Sequence, residues 1–340
     1  MSIAAYSILR NVKSCLIGTL TRLGLRICKL LIDKNNPKIS LSIDGELLED
    51  GLGAQIQRQL SLKALAHFLN IEFIPTPIKQ IAIHPLDNFK GLNEMWDFLN
   101  QVNDLFGFKT EINPSIHKLI RVRILTIGKL FRLILISRIT SRNLQVQVLE
   151  AYSLVDVDPK IYVDCLSGYK LNMASLRSDH QLLELEICIH YRQGTGGNVI
   201  YPGQKISREL NPQYFIDLLN QMETDGKTIT VFTDAPIQNI EFKPDIRQEH
   251  LWKGTPGYEN GKVKIQGLDL KSIFAKEGYE ITVLSGGDLI TTLLAFINCK
   301  TLLMSRSSLS YVGALLNNSS KIFYPPNFWH PPLNSWVKVK

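Results

Sequence analysis

Short apolar runs alternate with longer helical patterns along this chain, and that alternation constrains the fold more than any other feature. Residues 38–44, KISLSID, alternate as a strand does, and an apolar helical face follows over 54–70. Short strands are expected in IEFI and IAIH, and a further helix near 91–105. Because strands that alternate with helices build parallel sheets covered by helices, this half predicts an α/β domain.

The same alternation restarts after the polar stretch at 175–180. Strands are predicted at 182–189, 228–234, 279–284 and 301–304, and helices at 211–223, 286–298 and 307–317. We therefore expect a basic N-terminal segment at 1–37, two α/β domains at 38–180 and 181–340, and an aromatic C-terminal tail that crosses between them. Tandem domains leave a cleft, and in open parallel sheets ligands bind beyond the carboxyl ends of the strands.

The positive charge lies in two segments that contain no acidic residue. Residues 1–32 carry five Lys or Arg and residues 112–149 carry seven, although the net charge of the whole chain is only +7. In the first segment an apolar helical row from Leu9 to Leu30 lies opposite Arg22, Arg26 and Lys29. This amphipathic helix either lies in an anionic membrane surface or packs on the body with a solvated basic face.

The second basic segment alternates apolar and basic residues, so it suits a strand as well as a helix, and it would extend the same lipid-facing surface. Basic residues interrupt the N-terminal segment too often for a signal peptide or a spanning helix. No nucleic-acid motif accompanies the charge, and we expect no nucleic-acid partner. Five scattered cysteines without a C-x-x-C pair indicate a reducing compartment, so we expect a cytoplasmic protein, peripheral on the membrane.

Two groups of polar residues are expected at the carboxyl ends of strands in the second domain. His190 and Arg192 end the strand at 182–189, two residues apart and followed by glycines, where an arginine can hold two phosphate oxygens in a fork. Asp288 begins one helix, and the serines at 305, 307, 308 and 310 begin the next, where hydroxyls and N–H groups form an anion site. Taken one by one, the serines are also ordinary helix caps, and Asp288 is also an ordinary first-turn acid favoured by the helix dipole. Together the two groups predict a bound pyrophosphate.

Four stretches, in this order, resemble the GDP-fucose-dependent fucosyltransferases of the α1,2/α1,6 and protein O-fucosyltransferase group. They are DGLGAQIQRQLSLKALAHFL, IHYRQGTGG, VFTDAP and the block from Asp288 to Ser310, and the resemblance spans roughly residues 40–330. It implies two Rossmann-like domains facing a cleft (GT-B), inversion at the sugar, a GDP-sugar donor (GDP-fucose in the family), a glycan acceptor, a role in polysaccharide biosynthesis, and neither a metal nor a cofactor. The basic segments add a glycolipid as an acceptor.

Carried over by motif, the resemblance assigns Arg192 to the donor β-phosphate, with His190 near the guanosine. It implies that Asp288 recognises guanine and that Ser307 and Ser308 contact phosphate. The remaining donor-side positions that it implies are Gly51, Gly53, Gln55, Gly194, Asp234 and Ser305.

The chain departs from the family pattern around the reacting sugar. Gln193 replaces a second arginine, Thr195 stands where an acid is usual, and Ala54 replaces an asparagine. The donor sugar is therefore left open. As catalytic residues we expect Arg192, which stabilises the departing nucleotide diphosphate, and Asp50 or Glu49 as the base that takes the acceptor proton.

Two rival interpretations remain. Asp156 and Asp158 form a D-x-D pattern after an apolar strand, as in transferases that hold a divalent ion against a nucleotide diphosphate. A simple strand-ending turn before Pro159 explains the same residues. Alternatively, the chain is a non-catalytic membrane-surface scaffold that retains the fold.

Overall fold

The computed structural model describes most of the chain. The described residues are 3–32, 38–44, 50–81, 92–109, 118–140, 142–176, 185–193, 199–201, 204–206, 209–243, 249, 257–286, 288–317 and 321–339, with the backbone alone for 3–15 and 199–206. The chain divides into two compact units. The first comprises Met1–Leu48, Gln55–Gln80 and Leu99–Ser175, and the second comprises Glu49–Ala54, Ile81–Phe98 and Leu176–Lys340.

The first unit is built on a four-stranded parallel sheet in the order β2-β1-β4-β3. Its strands are β1 (Ile39–Ile43), β2 (Glu72–Ile74), β3 (Lys118–Ile124) and β4 (Leu144–Glu150). The helices that lie wholly or partly in it are α1 (Ile3–Leu31), α2 (Leu52–Leu69), α3 (Leu92–Phe106), α4 (Ile127–Thr140), α5 (Tyr152–Val155) and α6 (Lys160–Leu166), and a 3-10 turn follows at Met173–Ser175.

Burial explains the order of this sheet. Every residue of β1 is buried, as expected for a central strand, and its Ser42 accepts a hydrogen bond from Gln145 of β4 at 3.2 Å. By contrast β3 has no buried residue and lies at the edge, where its lysine and arginines discourage pairing with another strand. The second basic segment thus supplies both of the structures that its pattern allows, the strand β3 and the helix α4.

The second unit is built on a six-stranded parallel sheet in the order β12-β8-β5-β13-β14-β15. These strands are β5 (Ile187–Tyr191), β8 (Ile229–Thr233), β12 (Thr282–Ser285), β13 (Thr301–Leu303), β14 (Lys321–Tyr324) and β15 (Val337–Lys338). Its helices are α7 (Pro212–Leu219), α8 (Leu270–Lys276), α9 (Leu289–Asn298) and α10 (Ser308–Leu316). Two small antiparallel sheets join β6 (Val199–Tyr201) to β7 (Gln204–Ile206), and β9 (Ile240–Phe242) to β11 (Lys262–Ile265) and β10 (Tyr258–Glu259).

The alternation in the sequence predicts the strands β1, β2, β5, β8, β12 and β13 and the helices α2, α3, α7, α9 and α10. Asn211 caps α7 through its side chain, with Pro212 in the first turn, as its position in the sequence indicates. Most of IAIH lies outside the described residues. The aromatic tail packs on Tyr311 of α10, within the second unit, through Phe328, His330 and Trp336.

The predicted α/β class is confirmed, since each of the two units is built on a parallel sheet covered by helices. The N-terminal basic segment forms the helix α1. Within the described residues, no helix is long and apolar enough to cross a membrane. The cleft and the exact domain boundaries stay predictions.

Candidate functional site

Three neighbouring strands of the second unit end at one edge of its sheet. The strand β5 lies between β8 and β13, and the register pairs Tyr191 with Thr233 and Ile189 with Leu303. Since parallel strands bring their carboxyl ends to the same edge, the residues that follow them meet there. Arg192 directly follows β5, Asp234 directly follows β8, and Ser305 is the second residue after β13.

Arg192 connects the two groups of residues that the sequence places far apart. Its Nη1 lies 3.4 Å from Ser307 Oγ, and its Nε lies 3.5 Å from Asp234 Oδ2. The side chain is about one-quarter exposed. A carboxylate on one side and a hydroxyl on the other hold the planar guanidinium at the edge of the sheet, an arrangement suited to binding an oxyanion.

His190 is buried one position before the end of β5. Its Nδ1 lies 2.9 Å from Ser305 Oγ, and its ring lies against Phe296 with the centroids 5.0 Å apart. Burial is the main cause that lowers the pKa of His190, to about 3. The positive charge of Arg192 lowers this pKa further, and the negative charge of Asp234 opposes the shift. The imidazole is therefore neutral at physiological pH, which suits a positioning role and leaves Arg192 as the cation of this strand end.

The serines form the start of the helix α10. Ser307 is its cap, and its Oγ accepts a hydrogen bond from the Leu309 N–H at 3.3 Å. Ser305 and Ser310 are fully buried, and Ser310 donates to the carbonyl oxygens of Ser305 and Ser307. Ser308 is half-buried as the first residue of the helix. The N-terminal end of α10, which carries partial positive charge, thus lies beside Arg192.

The glycine-containing loop meets the same helix start. Gly53, in the first turn of α2, belongs to the second unit, and a Cβ atom added there would lie 2.4 Å from the Leu309 nitrogen and 2.8 Å from the Ser308 carbonyl carbon. Only glycine allows so close a backbone contact. Gly51 has open space around it, and its N–H donates to Asp50 Oδ1 at 2.8 Å. The sequence-predicted G-x-G and S-S motifs are therefore in contact.

Gln55 follows this loop but belongs to the first unit. It is buried, and its side-chain amide donates to the Gln80 carbonyl oxygen at 2.5 Å. That bond anchors the helix α2 to the segment after β2, so Gln55 has a structural role. The donor contact that the family resemblance implies for Gln55 stays a prediction.

Asp288 is an exposed N-cap of α9. Its Oδ2 accepts hydrogen bonds from the Thr291 N–H and hydroxyl at 2.8 and 2.7 Å, and its Oδ1 accepts from the Ile290 N–H at 3.3 Å. Asp288 is thus the cap of α9 and not the first-turn acid that the sequence allowed. A contact with guanine stays a prediction.

Gln193 occupies the place of the second arginine of the family motif. Its backbone N–H donates to Asp234 Oδ1 at 2.8 Å, and its side-chain amide donates to the Gln266 carbonyl oxygen at 2.8 Å. Asp234 therefore holds both the guanidinium of Arg192 and the start of the loop. Three residues named from the sequence, Glu49, Gly194 and Thr195, lie outside the described residues.

The D-x-D residues have structural roles in the first unit. They follow the short helix α5, whereas the sequence predicted a strand before them. Asp156 accepts a hydrogen bond from the Tyr162 hydroxyl at 3.3 Å, and Asp158 accepts one from the Lys160 N–H at 3.2 Å. Among the described residues, no three His, Cys, Asp or Glu side chains are grouped so that they could hold a metal ion.

Two residues of the site were missed from the sequence. Phe296 packs against both His190 and Phe232, yet an apolar residue inside a helix carries no functional signal. Arg306 stands between the serines, donates from Nε to the Pro326 carbonyl oxygen at 2.8 Å, and has its pKa lowered by burial. Its position between the serines in SRSS could have indicated from the sequence that it belongs to the site.

No protein family model matches the chain, and no curated protein matches it. Solved structures that are similar include E. coli heptosyltransferase WaaC with ADP-2-deoxy-2-fluoro heptose, at 11% identity over 89% of this chain and 93% of that chain, with a TM-score of 0.35. Another is POFUT1 in complex with GDP, at 9% identity over 86% and 98%, with a TM-score of 0.44. E. coli ADP-heptose lipopolysaccharide heptosyltransferase II has 11% identity over 88% and 89%, with a TM-score of 0.34. The assignment of function therefore depends on this chain's own residues.

Proposed function

We propose that the protein is an inverting glycosyltransferase that moves a sugar from a nucleoside diphosphate sugar to a hydroxyl group of a glycan or glycolipid. One observation carries the proposal. Arg192 and Ser307, which are 115 residues apart in the chain, meet at the carboxyl edge of the parallel sheet, with 3.4 Å between Nη1 and Oγ. An arginine beside a serine-capped helix start matches the chemistry of a diphosphate.

In the reaction, the acceptor oxygen attacks C1 of the donor sugar, and the bond between C1 and the phosphate oxygen breaks. The electron pair of that bond leaves with the nucleoside diphosphate, which gains negative charge in the transition state. Arg192 and the N-terminal end of α10 stabilise this charge, because both are fixed before the reaction begins. The acceptor proton goes to a carboxylate, for which Asp50 and Glu49 are the proposed bases.

The neutral His190 and the buried Ser305 hold the end of β5 against the helix start. Their role in this scheme is positioning, since neither needs to carry charge. GDP-fucose is the donor that the order of the sequence motifs supports. The side chain of Gln193 is directed to the Gln266 carbonyl oxygen, so a donor sugar other than fucose is compatible with the same diphosphate contacts.

A thermal-shift and calorimetry panel of GDP, UDP, ADP and CMP sugars tests the proposal. We expect a selective response to GDP sugars and turnover that persists in EDTA. Arg192→Ala should weaken binding of the responding nucleotide by about tenfold to a hundredfold, the range for hydrogen bonds to a charged group. Lys271→Ala, at an exposed lysine of the same unit, is the control and should bind as the wild type does. Unchanged affinity and turnover in Arg192→Ala would overturn the scheme.

A further inference from the structure

The helix α1 packs through the opposite side from the one its apolar pattern suggests. Among its residues from 16 onward, whose side chains the structure describes, the buried ones are Thr21, Leu25 and Cys28, and Ile32 continues this row just past the end of the helix. The long apolar row that the sequence singles out is exposed instead, with exposed fractions between 43% and 83% for Leu16, Leu20, Leu23, Ile27 and Leu30. In the described structure this apolar row therefore does not pack against the protein.

The helix α4 has the same character. It buries Leu130, Leu133, Ile134 and Ser137, and it exposes Phe131, Leu135 and Ile139 along one side at intervals of four residues, with Ile139 82% exposed. Residues spaced in this way lie above one another on a helix. A second exposed apolar row thus belongs to the first unit.

The two exposed rows meet where the helices touch. A Cβ atom added at Gly24 of α1 would lie 2.6 Å from Ile127 Cγ1 of α4. Leu20 and Ile27 stand four and three residues from Gly24, and Phe131 stands four residues from Ile127, so each exposed row continues from the contact itself. We name the exposed surface of these two rows the apolar–basic face.

Exposed cations flank the rows. On α1 they include Arg26, and on α4 they include Lys129, Arg132 and Arg138. Neither helix contains an acidic residue. Some cations contact the protein itself: Arg22 donates to the Val157 carbonyl oxygen at 2.7 Å, and Lys29 lies 4.6 Å from the centre of the Phe68 ring. Lys129 is exposed, and its Nζ donates to the Ile124 carbonyl oxygen at 3.0 Å. Asp158 and Asp164 line a cavity together with Arg22 and Arg26.

We propose that the apolar–basic face docks on an anionic membrane surface. The exposed rows enter the boundary between headgroups and acyl chains, and Arg26, Arg132 and Arg138 contact lipid phosphates. A second copy of the chain is the other candidate occupant. It would bring the same cations against each other, and like charges brought together in a contact oppose it. Anionic lipid headgroups neutralise these cations, so charge complementarity favours a membrane surface over a second copy of the chain.

The test is co-sedimentation of the full chain with vesicles of phosphatidylcholine alone or mixed with phosphatidylglycerol. The wild type should sediment with the anionic vesicles and should be released by high salt. Leu30→Glu/Ile139→Glu should reduce this binding by about tenfold or more, because both side chains lose their apolar contact with lipid. Both positions are more than 80% exposed, so the fold should survive the change.

The matched control is Ile237→Glu/Lys271→Ala, at exposed positions of the second unit, which changes the net charge by the same amount. It should bind vesicles as the wild type does. Arg26→Ala/Arg132→Ala should lower binding to anionic vesicles by about fivefold per cation and leave weak binding to neutral vesicles unchanged. Wild-type protein that stays in the supernatant, or a Leu30→Glu/Ile139→Glu variant that binds normally, would overturn the proposal. Light scattering that shows a dimer of the wild type, and a monomer for Leu30→Glu/Ile139→Glu, would also overturn it.

Discussion

Replacing Gly53 with alanine should damage both stability and nucleotide binding, because the added methyl group meets backbone atoms. It would lie 2.4 Å from the Leu309 nitrogen, 2.6 Å from the Leu309 Cα and 2.8 Å from the Ser308 carbonyl carbon. An ordinary contact needs about 3.4 Å or more, so the start of α10 would have to move by about 1 Å. Backbone inside a helix start cannot rotate away as a side chain can.

Two effects of opposite sign set the size of the change. Overpacking of this kind costs about 1–3 kcal/mol. Alanine in place of glycine inside a helix stabilises the folded state by about 0.5–1 kcal/mol, because alanine loses less backbone freedom on folding. We therefore expect the free energy of unfolding to fall by about 1–2 kcal/mol. A shift of the Ser307–Ser308 backbone should also weaken binding of the nucleoside diphosphate by about tenfold or more, since placement of the anion site is altered.

Tryptophan fluorescence during urea unfolding measures the stability change, because all four tryptophans lie in the ranges of the second unit. Calorimetry with the responding nucleotide measures the affinity. Gly51→Ala is the matched control for stability, since a Cβ atom there has nothing within 4 Å, and it should unfold as the wild type does. A Gly53→Ala protein as stable as Gly51→Ala, with unchanged affinity, would refute the inferred contact between the loop and the helix start.

Two further predictions concern Asp288 and His190. Asp288→Ala should lower the free energy of unfolding by about 1 kcal/mol through loss of the cap, whereas Asp288→Asn should stay stable and should lose preference for GDP sugars if this carboxylate recognises guanine; urea unfolding and calorimetry separate the two roles. Because the folded state keeps the pKa of His190 at about 3 and the unfolded state has its ordinary value near 6.5, only the unfolded state binds the proton between these values. The free energy of unfolding should therefore fall by about 1.4 kcal/mol for each unit by which the pH is lowered through that window, as measured by urea unfolding at pH 7.5 and 5. His190→Asn should flatten this dependence, whereas the control His67→Gln, at an exposed histidine, should keep it. A His190→Asn protein whose stability depends on pH as steeply as that of His67→Gln would contradict the burial argument.

The sequence predicts the candidate site better than its surroundings. Strand periodicity places Arg192 and Asp234 at strand ends, and parallel pairing then brings them to one edge without knowledge of any contact. The packing of Phe296 on His190 could not be predicted in this way. It depends on which face of an almost wholly apolar helix turns toward β5, and an apolar helix has no polar side that would show this.

The orientation of α1 shows a second limit of pattern-based prediction. The row from Leu16 to Leu30 is the more regular apolar row, yet the row with Leu25 and Cys28 is the buried one. Gly24, next to the buried Leu25, lies close to Ile127 of α4, a contact that the apolar pattern does not indicate. Hydrophobic periodicity finds an apolar face, but it does not say whether protein or lipid covers it.

The meeting of Arg192 and Ser307 is the central claim, and a double-mutant cycle on nucleotide affinity tests it most directly. Arg192→Ala, Ser307→Ala and the double variant are compared by calorimetry with the nucleoside diphosphate that stabilises the wild type. If both side chains hold one diphosphate, the effects are not additive, and the coupling should be about 0.5–3 kcal/mol. Strictly additive effects, or no effect of either substitution, would contradict a shared phosphate site at the start of α10.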